Sequence, residues 1–368
     1  MDYDVAIAKH VWHFARTALA KQIIDLFNTG LASALVFFAP RRMGKTEFLQ
    51  KDIQPFATKQ GWNVFYFSFL DVENEPQTPF TNALIDFAES TGAMNNKNSM
   101  LSKIRSVTGS IATVSAKIEL HESKSAQYDI KKIISLLARE HRILLLLDEV
   151  QVLAKKSFNE QFVAALRTAL DLHKDNVKAI FTGSSREGLR QMFSQANAPF
   201  FHFGQNLPFP ELGREFTDHL SDAFNQVTKR KLDKEALWAA FHNMGNVPQL
   251  ARSLVERLAL YPNQTISETK NQLLKDIYND RTFVETWENA SALEKLLLQA
   301  ISKETTALFS EATREILAKQ LGVEKLEVSS VQSALRTLQK KLLIGRLPEQ
   351  AGYFIDDPNF KNWLQNSM

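Results

Sequence analysis

The chain has 368 residues, of which 44% are hydrophobic and 23% charged, with no cysteine and a formal net charge of +3. That length and balance fit two or three globular domains with full cores, and the lack of cysteine excludes disulfides and thiolate metal sites. No apolar run approaches the roughly 20 residues of a membrane span, the start Met1-Asp2-Tyr3-Asp4 lacks the basic and apolar regions of a signal peptide, and so small a positive charge is not by itself a nucleic-acid signature; the expectation is a cytoplasmic protein with no membrane partner.

Residues 5–27 predict a helix, with Phe14, Leu19, Ile23, Ile24 and Phe27 on one side and Gly30 ending it. The apolar run 34–38 predicts a strand, followed by Ala39-Pro40-Arg41-Arg42-Met43-Gly44-Lys45-Thr46-Glu47. A strand running into x4-Gly-Lys-Thr predicts a phosphate-binding loop: backbone N–H groups wrap a polyphosphate, Lys45 reaches its outer phosphates and the Thr46 hydroxyl holds Mg²⁺. Ala39 stands where the strict pattern has Gly. The helix that follows, to about residue 60, directs its positive dipole end at the same site.

Gly61 breaks, residues 62–68 predict a second strand and 76–79 a turn, and a helix covers 80–91. Residues 92–128 are polar, and the alternation over 111–120 predicts a short hairpin within an insertion. A helix resumes over 128–141. The unbroken apolar run 143–147 predicts a parallel strand covered on both faces, with Asp148-Glu149 at its C-terminal end. About a hundred residues after the loop, such a pair suits nucleotide hydrolysis: Asp148 binds Mg²⁺ through water and Glu149 orients and deprotonates the attacking water. The plain structural alternative is an acidic cap on a buried strand.

A helix over 159–173 and a strand over 178–182 complete an alternation that predicts a doubly wound parallel sheet. After that strand comes Thr182-Gly183-Ser184-Ser185-Arg186, where Thr182 or Ser184 would sense the γ-phosphate or hold the lytic water, or the segment is simply a Gly-Ser loop. Beyond residue 210 the pattern is helical: 214–228, 234–244, 247–260 and 266–287, then 291–302, 309–321 and 329–341, closing with short strands at 342–346 and 352–355. Three helices and a hairpin predict a winged helix.

These ordered motifs, with Gly245-Asn246-Val247-Pro248, resemble the AAA+/STAND-type ATPases, and among them the archaeal-type ATPases with a C-terminal winged helix. The resemblance implies an α/β P-loop NTPase fold with helices on both faces of a parallel sheet, followed by a helical lid and a winged helix. The implied domains are an N-terminal helical segment at 1–30, the ATPase domain at 31–210, the lid at 211–288 and the winged helix at 289–368. It implies ATP with Mg²⁺. Pro40 to Glu47 are then the nucleotide loop, Lys45 and Thr46 the Walker A pair, and Asp148 and Glu149 the Walker B pair. Arg16 resembles the family's N-terminal arginine beside the nucleotide, Pro248 the lid proline near the base, and Arg252 a sensor residue. Gly245 to Pro248 also reads as a helix stop and restart. One departure stands out: no Arg lies between Gln191 and Leu212, where relatives often carry an arginine finger, and His202 falls there instead. Weak or partner-dependent hydrolysis follows.

Arg336, Lys340, Lys341 and Arg346, with Lys325, put cations on or near the third winged-helix segment, while Glu324, Glu327 and Glu349 oppose them. The expected function is an ATP/ADP-driven switch coupled to a protein partner or to a second copy of itself. The alternatives are a DNA-binding ATPase of replication, transposition or mobile-element maintenance, and a non-hydrolysing nucleotide switch in signalling or defence.

Overall fold

The computed structural model describes residues 11–72, 75–92, 119–155, 159–194, 198, 200–278, 281–346 and 352–366. Two compact units are present: residues 15–39 with 45–209, and residues up to Phe14 with Pro40–Gly44 and everything from Pro210 on.

The first unit is built on five parallel strands, β1 (Ala34–Phe38), β2 (Asn63–Ser68), β3 (Ile143–Asp148), β4 (Val177–Gly183) and β5 (Gln205–Pro208), in the order β2-β3-β4-β1-β5. β3 and β4 are buried along their whole length: β3 carries the unbroken apolar run 143–147, and β4 buries Lys178 and Thr182 among its apolar residues. On one face Val36, Leu145, Leu147 and Phe181 pack with Leu84 of α3 (Gln77–Ser90), Ile133 and Leu137 of α4 (Glu119–Glu140) and Phe162 and Leu166 of α5 (Asn159–Leu172). On the other, Phe37 meets Phe48 and Phe209 edge-on, and α1 (Thr17–Asn28) buries Ile23, Ile24 and Phe27. Helices therefore cover both faces of the sheet.

The helix after the phosphate loop, α2, begins as Lys45–Glu47, passes through a π-helical stretch at Phe48–Ile53 and ends as Gln54–Lys59. α6 (Arg186–Phe193) follows β4, its N-terminus capped by the Ser185 hydroxyl accepting from the Gly188 N–H.

In the second unit, α7 (Arg214–Thr228), α8 (Lys234–Asn243), α9 (Pro248–Leu260) and α10 (Ile266–Tyr278) enclose Phe216, Leu220, Phe224, Leu237, Phe241 and Leu254. Then come α11 (Arg281–Glu288), α12 (Ala292–Ser302), α13 (Glu311–Leu321), α14 (Val328–Lys340), the antiparallel pair β6 (Ile344–Arg346) and β7 (Tyr353–Ile355), and α15 (Pro358–Asn366). Their core joins Leu297, Leu298, Val331, Leu335 and Leu338 to Phe283, Phe360 and Trp363.

The structure corrects several sequence expectations. The N-terminal helix starts at Thr17; residues 11–16 are irregular, and Phe14 instead stacks edge-on against Phe216. Residues 5–10 and most of the expected hairpin lie outside the described residues, but Glu119 and Leu120 are helical and α4 starts well before residue 128. The expected single helix over 266–287 is α10 and α11, with residues 279 and 280 outside the described set. β5, α6 and α15 are additions to the sequence reading.

Candidate functional site

The phosphate loop leaves β1 at Ala39, whose N–H reaches the Gly183 carbonyl of β4 at 3.4 Å. Two residues then take left-handed backbone angles, Arg42 (φ 70°) and Gly44 (φ 86°). A Cβ on Gly44 would meet nothing within 4 Å, so glycine is needed there for its backbone angle and not for space. Arg41 and Arg42 are exposed and Met43 is buried. Arg42 offers its carbonyl to the N–H of Gln249, at 3.4 Å, in the first turn of α9.

The side chain of Lys45 is only 4% exposed, and its Nζ donates to the Ala39 carbonyl at 2.7 Å and lies 3.9 Å from Glu149 Oε1. Thr46 Oγ1 donates to Asp148 Oδ2 at 2.5 Å. The parallel register makes this meeting possible: strand ends of β1, β3 and β4 lie side by side, and the polar residues that follow each apolar run gather at their C-terminal edge.

Four donors converge on the buried carboxylate of Asp148. Besides Thr46, Oδ2 accepts from the Tyr66 hydroxyl at 3.2 Å; Oδ1 accepts from the Thr182 hydroxyl and from the Glu149 N–H, the latter at 3.1 Å. Burial, and next the negative charge of Asp148, push the Tyr66 hydroxyl above its ordinary value, so it stays a donor. Glu149 occupies the left-handed region at φ 56°. Its Oε2 accepts from the Ser184 hydroxyl at 2.6 Å and from Gln151 Nε2 at 2.5 Å. Thr182 thus attends Asp148 and Ser184 attends Glu149.

The set fits the group that the sequence implies. A hydroxyl and a carboxylate meeting at a helix N-terminus, beside a buried ammonium, are hard oxygen donors for Mg²⁺ and a cation for phosphate.

The remaining sequence candidates each have contacts of their own. Glu47 pairs with Lys51 on the surface of α2 at 2.5 Å. Arg16 stacks on Phe209 with its guanidinium 4.2 Å from the ring centre, and burial pulls it down to about 10 against the opposing charge of Asp52. Pro248 is the buried first residue of α9, entered through Gly245 (φ 75°) and Asn246 (φ 55°), the geometry of a helix stop and restart. Arg252 is half-buried on the same helix, Arg186 lies over the Phe38 ring at 4.6 Å, and His202 is exposed. Of the basic winged-helix residues, Arg336, Lys340 and Arg346 are exposed; Lys325 pairs with Glu327 at 2.9 Å, and Lys341 pairs with the buried Glu294 of α12 at 3.2 Å. Sequence reasoning missed Tyr66 and Gln151. Tyr66 sits inside an aromatic-rich strand that reads as core, and Gln151 lies beyond the Asp148-Glu149 pair read in the sequence. Tyr66 lies on the same face of β2 as Ser68, which is level with Asp148, and the two-residue spacing of Tyr66 and Ser68 was the available signal.

Comparison with known proteins bears on the whole chain. No curated protein matches its sequence. Among solved structures, it is similar to a Walker-type ATPase of Pyrococcus abyssi, with 14% identity, 96% of each chain covered and a TM-score of 0.64. It is similar also to the ORC2 protein of Aeropyrum pernix in its ADPNP–ADP complexes, with 14% identity, 95% of this chain and 93% of that one covered, and a TM-score of 0.56. At such identities the likeness is one of fold. Residues 281–366 match a family described as a probable winged helix domain. Residues 14–251 match the family described as an ATPase domain predominantly from Archaea, and the chain belongs to that family.

Proposed function

We propose that this chain is a Mg²⁺-dependent ATPase that works as a molecular switch, slow on its own and stimulated by a partner or by a second copy of itself. The observation that carries the reading is the meeting of Lys45 with Glu149 at 3.9 Å and of Thr46 with Asp148 at 2.5 Å, at one strand edge. Thr46 and Asp148 would hold Mg²⁺, which when bound supplies positive charge against the phosphates. Lys45 binds the outer phosphate oxygens, and backbone N–H groups of the loop from Arg41 to Glu47 line the polyphosphate. Thr182 and Tyr66 hold Asp148 in place. Glu149 orients the attacking water and accepts its proton.

Slow turnover follows from the sequence, which has no Arg between Gln191 and Leu212. Coupling is supported by the loop itself: the Arg42 carbonyl accepts from the Gln249 N–H at the start of α9, the helix that carries Pro248 and Arg252. In this reading the helical segment 211–288 registers nucleotide state and the winged helix passes it on. A cytosolic setting, suggested by the cysteine-free sequence, is part of the proposal. The test is paired measurement of ATP affinity and turnover in Lys45→Ala and Glu149→Gln: the first should lose binding, the second should bind and not turn over.

A second reading, an ATPase whose winged helix binds DNA, is favoured by one observation. The exposed face of α14 carries Ser329, Ser330, Gln332, Ser333, Arg336, Thr337 and Lys340, donors to phosphates and base edges with no carboxylate among them.

A further inference from the structure

Gln151 is a buried polar side chain, only 4% exposed, two residues beyond Glu149. Its amide makes three hydrogen bonds. Nε2 donates to Glu149 Oε2 at 2.5 Å and to the Ser184 hydroxyl at 3.2 Å, while Oε1 accepts from the Ser184 N–H at 3.3 Å. The amide has only one workable orientation: reversed, its oxygen would face the Glu149 carboxylate and its NH₂ the Ser184 N–H.

The backbone of the β4–α6 turn makes room for this side chain. A Cβ on Gly183 would fall 2.5 Å from Gln151 Oε1, and one on Gly188 would fall 2.6 Å from Gln151 Cβ. Gly188 is therefore explained by Gln151, and Gly183 by Gln151 together with Leu189, whose Cγ and Cδ2 would lie 2.8 Å from the same Cβ. Two donors, Gln151 Nε2 and the Ser184 hydroxyl, occupy Oε2 of Glu149. That leaves Oε1 as the oxygen on the side of Lys45, 3.9 Å from its Nζ.

We infer that Gln151 is a positioning residue for hydrolysis: together with Ser184 it locks Oε2 of Glu149, so that Oε1 alone is presented to the attacking water beside the phosphates. The inference rests on the proposed role of Glu149 as proton acceptor. A water aligned against a fixed oxygen reacts faster than one facing a carboxylate free to rotate, and misplacement by about 1 Å costs up to about 100-fold. The effect falls on turnover and leaves ground-state nucleotide binding alone, because the hydrogen bonds of the Gln151 amide go to Glu149 and Ser184 and not to the phosphate loop.

Gln151→Met keeps the volume and removes the amide. Measured on the full chain with Mg²⁺ and ATP, kcat should fall about 10- to 100-fold, with KM, ATP affinity and melting temperature nearly unchanged. Unchanged kcat would overturn the inference, as would a rise in KM that accounts for the whole effect. Should Gln151→Met fold poorly, Gln151→Glu decides the matter: same shape, but a carboxylate against Oε2, so a kcat loss at unchanged ATP affinity supports the role and wild-type kcat removes it. Glu149→Gln in parallel separates the two ideas. If it keeps turnover, the base assignment fails; if it abolishes turnover while Gln151→Met is silent, only the role of Gln151 fails.

Discussion

Thr46 Oγ1 donates to Asp148 Oδ2 at 2.5 Å, joining two residues 102 positions apart in sequence. The bond sets the hydroxyl and the carboxylate of the proposed metal site against each other, and Tyr66 and Thr182 also donate to that carboxylate. Thr46→Ala should therefore raise the Mg²⁺ concentration needed for half-maximal turnover by about 10-fold or more. ATP binding measured in a chelator should change little. An unaltered Mg²⁺ titration of the variant would remove Thr46 from the metal site.

Glu294 gives the winged helix a measurable pH dependence. Burial resists its ionisation, but the N–H of Ser291 and the ammonium of Lys341 outweigh that and hold its pKa below the ordinary 4.5. A carboxylate whose folded value is depressed stabilises above its unfolded value and loses that stabilisation as pH falls through the folded one. Glu294→Gln, which also weakens the capping box with Ser291, should cost about 1–2 kcal/mol at pH 7. The difference from wild type should shrink in melts carried out below pH 4.5. A gap that persisted undiminished at low pH would contradict this account.

The DNA reading makes a separate demand on α14. If its carboxylate-free face meets a duplex, binding of a random-sequence 30-base-pair probe should weaken steeply with salt. Reversal of Arg336 and Lys340 to Glu should flatten the log–log salt slope by about 2, since each of the two cations neutralises one phosphate. Lys341→Glu should act through Glu294 and lower stability instead. Salt-independent binding, or none in the wild type, would leave the winged helix as a protein-facing element.

Much of this was legible in sequence because the relevant signals are local. The runs 34–38 and 143–147 became β1 and β3, and the residues after them met at the strand edge. β5 escaped because it is an exposed edge strand, Gln-Asn-Leu-Pro, with no apolar alternation. α15 had a readable start, an Asp-Pro in which Asp357 Oδ1 accepts from the Asn359 N–H at 2.8 Å, but it is short and follows a strand. Gln151 was illegible in principle. Its role depends on two glycines and a serine over thirty positions away, brought to it by the pairing of β3 with β4. The same pairing turned Ser184, readable only as one of two polar candidates, into a specific partner of Glu149.

The most direct test is equilibrium binding of ATP, with Mg²⁺, to Lys45→Ala. The buried ammonium stands between the loop carbonyl of Ala39 and Glu149, where the phosphates of a nucleotide would lie. Its removal should weaken ATP binding by at least about 30-fold, the equivalent of about 2 kcal/mol. Affinity equal to that of the wild type would contradict the assignment of this loop as the nucleotide site.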